Sequence, residues 1–135
     1  MEQLKEHTNL NVGVRILDLD HRQMAEVIHE LKAATQPDRD QSLTGLLLRK
    51  LALFTRNHFA IEEEMMQTTR YPGMAVHRLN HRHLMGKLGM LIARHDRGNL
   101  PLASSSLLFL HEWHVGHVNS EDLHYGLWLN AMGKS

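Results

Sequence analysis

The sequence predicts an all-α protein, an up-down-up-down antiparallel four-helix bundle preceded by an N-terminal arm. Three observations predict it. Four segments carry apolar residues three and four apart, the repeat that lines one face of a helix. No segment alternates apolar and polar residues between hairpin turns, the pattern of a half-buried strand. The connections are short and hold the Pro and Gly residues that end helices, which suits antiparallel neighbours.

The arm covers residues 1–18. Asn9-Leu10-Asn11-Val12-Gly13-Val14 reads as extended chain with a turn at Gly13, and Leu10, Val12, Val14, Ile16 and Leu17 give it an apolar side to pack on the bundle. Asp18 is expected to cap a first helix over about 19–35, because a short acceptor side chain satisfies the free N–H groups of a first turn. Its inward positions are His21, Met24, Ile28 and Leu31, with Val27 alongside, and Pro37 ends it.

The second helix is expected over about 41–67, with Leu47, Leu51, Phe54, His58, Glu62 and Met65 or Met66 as its buried stripe. Pro72-Gly73 marks the following turn. The third helix covers about 74–97, where His77, His81, Leu84, Leu88, Leu91 and His95 recur at helical spacing before a stop at Gly98. The fourth covers about 101–130. It opens at Pro101, a good first-turn residue, and Leu107, Leu110, Trp113 or His114, and His117 follow one face. The whole of 1–135 reads as a single domain.

Composition excludes several function classes. Hydrophobic residues make up 42%, enough for a core. The 15 basic and 15 acidic residues balance, so no basic surface argues for nucleic acid or for an anionic membrane. Cysteine is absent, which removes disulfides, thiolate metal sites and cysteine nucleophiles. Met1 to Asn11 is polar and no apolar run is long enough to span a bilayer, so a cytoplasmic location is expected.

The unusual number is 12 histidines in 135 residues. Position decides what they do. His58 and Glu62 lie four apart at the end of an apolar stripe, where bare polar groups are costly to bury. His21 lies near the start of the first helix, His77 and His81 near the start of the third, and His117 and Asp122 towards the end of the fourth. In an antiparallel bundle all seven fall in one layer. Five imidazoles, two carboxylates that each bridge two metals, and a bridging oxide or hydroxide fill eleven of the twelve positions around two octahedral ions. One position stays open for a small ligand. Imidazole with carboxylate suits iron, with zinc, manganese and cobalt as substitutes.

His117 and Asp122 are five apart, which on a regular helix turns them roughly 140° away from each other. The sequence therefore predicts a π-type turn between them, a distortion common at functional sites.

The ordered set of motifs resembles the hemerythrins, in particular the single-domain bacterial ones. It comprises Ile16-Leu17-Asp18-x-x-His21, His58-Phe59-x-x-Glu62-Glu63-x-x-Met66, Tyr71-Pro72, His77-x3-His81, and Trp113-x3-His117-x4-Asp122-x-x-Tyr125. The resemblance implies a non-haem di-iron centre that binds dioxygen reversibly, for oxygen storage, delivery or sensing. It implies that His77, His81 and His117 hold one iron, that His21 and His58 hold the other, which keeps the open position, and that Glu62 and Asp122 bridge the two. Trp113 is expected to wall the site, with His114 and Tyr125 as supporting neighbours.

Asp20, before His21, stands where the family commonly has Gln. Leu84 stands where Phe is frequent, and Asn9-Leu10 where many bacterial members have Trp. His7, His29, His83, His95, His111 and His124 read as solvated or flanking the core. The alternatives are a di-iron oxidoreductase acting on peroxide or nitric oxide, and a metal-binding or storage module.

Overall fold

The computed structural model describes residues 11–35, 41–97 and 104–133. Its helices are α1 (Arg15–Ala34), α2 (Gln41–Thr69), α3 (Met74–Asp96), α4 (Ser104–His117) and α5 (Leu123–Ala131). A π-helical turn, Val118–Asp122, joins α4 to α5, so these three pieces make one continuous fourth rod. The rods run up, down, up and down, with α1 against α2, α2 against α3 and α4 back against α1. Among the described residues no helix is long and apolar enough to cross a membrane.

The expected stripes become the core. Met24, Val27, Ile28 and Leu31 of α1 meet Leu47, Leu48 and Leu51 of α2, Leu84 and Leu88 of α3, and Leu107 and Leu110 of α4 in one cluster. A second cluster unites Val12, Val14 and Leu17 with Met66, Val118, Tyr125 and Leu129. The polar layer lies between the two clusters. It is therefore not the last layer of the bundle, since the arm seals it on one side and the larger core on the other.

The arm departs from expectation at its end. The first helix begins at Arg15, four residues before the expected start, and Asp18 lies inside its first turn rather than ahead of it. Asp18 instead accepts the backbone N–H of Val12 at 2.7 Å. A carboxylate in the first turn also suits the positive end of the helix. Asp18 thus ties the arm to the helix, and the arm is shorter than 1–18 implies. Gly13 makes the bend with φ +82°, and a Cβ there would come within 2.5 Å of Asn130 Nδ2. Gly126 is a second contact point, because a Cβ there would lie 2.0 Å from the Val12 carbonyl oxygen. Ile16, read as a packing residue, is 48% exposed.

The turn after α2 is also built differently from its sequence signal. The left-handed residue is Arg70, with φ 57°, and the Tyr71 N–H donates back to the Met66 carbonyl at 2.9 Å. This is the 6→1 closure of a Schellman end. Leu10, Pro37, Gly98 and Pro101 lie outside the described residues.

Candidate metal centre

Seven side chains from all four rods converge in the buried layer. They are His21 from α1, His58 and Glu62 from α2, His77 and His81 from α3, His117 from α4 and Asp122 from the π-turn; none is more than 5% exposed. Their donor atoms fall into two overlapping groups, each within 4.8 Å: Glu62, His77, His81, His117 and Asp122, and His21, His58, Glu62 and Asp122.

The carboxylates link the groups in a definite sense. Glu62 Oε1 faces His77 Nε2 and, at 3.1 Å, His81 Nε2, while its Oε2 faces His58 Nε2 at 3.0 Å. Asp122 Oδ1 faces His77 Nε2 at 2.7 Å and His117 Nε2 at 3.1 Å, while its Oδ2 faces His21 Nε2 at 2.9 Å. Each carboxylate therefore turns one oxygen to two of the imidazoles His77, His81 and His117 and the other to one of the imidazoles His21 and His58.

Hydrogen bonding alone does not satisfy this layer. His58 Nδ1–H donates outward to Asp20 Oδ2 at 2.9 Å, and His81 Nδ1–H to Glu63 Oε2 at 2.8 Å. In neutral rings that leaves Nε2 of both with a lone pair aimed at Glu62 oxygens. His81 Nε2 and His117 Nε2 also face each other at 3.2 Å. Among the described residues, His58 Nε2, Glu62 Oε2 and both Asp122 oxygens are buried and make no hydrogen bond of acceptable geometry. A proton points one way, whereas a metal cation is shared by every lone pair around it. The donor set fits metal ions.

The electrostatics agree. Burial and Asp122 push the Glu62 carboxyl up, but His58, His77 and His81 outweigh them and bring it down to about 2. Burial likewise opposes ionisation of Asp122, and His117, His21 and His77 hold it well below its ordinary value. Burial lowers His77 and His117, yet the carboxylates raise them to about 9 and about 10. His58 is raised by Glu62 and Asp20 against the same burial. The pocket keeps its carboxylates anionic and demands positive charge beside them.

Aromatic rings close the sides. Phe59 stacks on His81 with centroids 3.6 Å apart, and Trp113 stacks on His117 at 4.6 Å. The family model "Hemerythrin HHE cation binding domain" matches residues 12–129.

The chain belongs to the hemerythrin family.

Among its relatives, the bacteriohemerythrin of Stenotrophomonas maltophilia is 26% identical over 117 residues, covering 87% of this chain and 75% of that protein. The myohemerythrin of Sipunculus nudus is 30% identical over 117 residues, covering 87% and 86%. A wild-type hemerythrin crystal structure superposes with a TM-score of 0.79 at 26% identity, covering 85% of this chain and 88% of that one.

In this member of the family the π-turn occupies Val118–Asp122, and Asp122 is fully buried. The residues expected around the ligands divide. Trp113 lies on His117. Tyr125 is fully buried, with its hydroxyl 3.1 Å from Thr69 Oγ1. His114 is buried edge-on to His21, with centroids 6.1 Å apart, and burial together with His21 pushes it down to about 3. His29, His95 and His111 are half-buried, and His83 and His124 are exposed; His7 lies outside the described residues.

Three carboxylates that the sequence reading left aside hold the outer nitrogens. Asp20, which stands where the family commonly has Gln, reaches across to His58 of α2. Glu63 takes His81 Nδ1 and the Arg78 side chain, and Glu121 Oε2 lies 2.7 Å from His117 Nδ1. Only the last had a local signal, since His117 and Glu121 are four apart. The other two contacts join different helices, which no spacing reveals.

Proposed function

We propose that this protein binds dioxygen reversibly at a non-haem di-iron centre, in oxygen storage, delivery or sensing. His77, His81 and His117 hold one iron, and His21 and His58 hold the other. Glu62 and Asp122 would each offer one oxygen to either ion. The observation that carries this reading is the division of each buried carboxylate, one oxygen towards two imidazoles of the His77, His81 and His117 group and the other towards His58 or His21. Counting donors, the trio side has one more than the pair side. The His21/His58 side would therefore have room for a small ligand.

When bound, the iron pair supplies the two electrons that dioxygen accepts. The chain's own residues do the rest. Asp20 and Glu63 fix the tautomers of His58 and His81, so that Nε2 keeps its lone pair for metal and becomes more basic. Phe59 and Trp113 cover ligand rings and keep water from them. The two apolar clusters on either side exclude bulk solvent and slow irreversible oxidation.

The test is spectroscopic. The purified protein is reduced anaerobically, exposed to air and then deoxygenated. A visible charge-transfer band that appears with air and vanishes on deoxygenation supports the proposal. Irreversible oxidation with turnover of peroxide or nitric oxide would make the centre an oxidoreductase. Failure to take up iron in iron-rich medium would leave a module for another metal.

A further inference from the structure

We infer that Thr55 and His114 form a binding site for one water molecule, buried in the apolar core beside the imidazole layer. Thr55 is fully buried and His114 is 3% exposed. Among the described residues, Thr55 Oγ1 and His114 Nε2 both lack a hydrogen-bond partner. Both residues line the same internal cavity of about 10 Å³, whose other walls are apolar side chains such as Met24, Ile28, Leu51 and Leu84. Two buried residues, each with an orphaned polar atom and both lining one otherwise apolar cavity, call for a shared partner, because each alone is unfavourable to bury.

Size and chemistry select the occupant. A cavity of roughly 10–15 Å³ holds one water, and a water needs at least two polar partners to stay in a protein interior. Those two are present. The threonine hydroxyl donates and accepts, and the imidazole Nε2 does one or the other according to its tautomer. Water complements either tautomer, which a pure acceptor or pure donor would not. An apolar cavity of this size would stay dry.

Position gives the site its interest. Thr55 precedes His58 by three residues and His114 precedes His117 by three, so both lie one helical turn from the layer, on its core side. His114 stands edge-on to His21. The bound molecule therefore sits within an apolar wall, about one ring away from the imidazole pair.

High-resolution crystallography of the protein as purified, with and without xenon pressure, tests the inference. The wild type is expected to show one solvent peak within hydrogen-bond distance of Thr55 Oγ1 and His114 Nε2, and no xenon there. The double variant Thr55→Val with His114→Leu is expected to lose the peak, and any remaining space should take xenon. A wild-type cavity that is dry, or that binds xenon, overturns the inference. So does a solvent peak that persists in the double variant. The wild-type map decides the matter even if the variant fails to fold. The outcome is also independent of whether the centre binds dioxygen.

Discussion

Glu62→Gln is the sharpest test of the buried carboxylates, because it keeps the side chain's shape and removes its charge. In the folded metal-free protein the Glu62 carboxyl lies at about 2 against an ordinary 4.5. That lowering makes the anion worth roughly 3 kcal/mol to folding at neutral pH. The sign follows from the lowered value. The contribution is fully present above pH 4.5 and is lost as pH falls towards 2. Glutamine mimics the protonated form, so the variant should be less stable than the wild type by roughly 3 kcal/mol at pH 7, with the difference shrinking to roughly 1 kcal/mol by pH 3. Urea unfolding of the metal-stripped proteins, followed by far-UV circular dichroism at both pH values, measures the difference. A carboxamide also offers metals only one oxygen, so the two-ion stoichiometry read from the donor groups should fall to one or none after chelator treatment. Equal stability at pH 7, together with two metals retained, would refute the reasoning.

Other outcomes follow from the same geometry. His77 and His117 are raised to about 9 and about 10 by the carboxylates, so their stabilisation of the metal-free protein is complete below pH 6.5 and disappears as pH rises through 9–10. A urea midpoint that stays flat from pH 6 to 10.5 would contradict this. Asp20→Ala removes the acceptor that orients His58 and should weaken metal retention by ~10–100-fold in chelator competition while leaving the helical content intact. Gly126→Ala drives a methyl group into the Val12 carbonyl and should cost about 1–3 kcal/mol, read as a lower urea midpoint; an unchanged midpoint would mean that the arm is not held there.

The sequence determined the helices and the residues of the buried layer, because both obey short-range rules. Helical spacing put Leu47, Leu51, His58 and Glu62 on one face of α2, and His77, His81, Leu84 and Leu88 on one face of α3. The five-residue step from His117 to Asp122 forecast the π-turn, since a regular helix cannot turn both residues inward. Tertiary structure decided what depends on how the helices are rotated and tilted against each other. Asp20 borders His21 in sequence yet serves His58, and Glu63 borders Glu62 yet serves His81. Asp18 resembled a cap because it has the right chemistry, but the arm folds back and Asp18 holds Val12 instead. The cavity between Thr55 and His114 is likewise a property of four packed helices. Local spacing fixes which face a side chain occupies, and only packing of the rods fixes what it meets there.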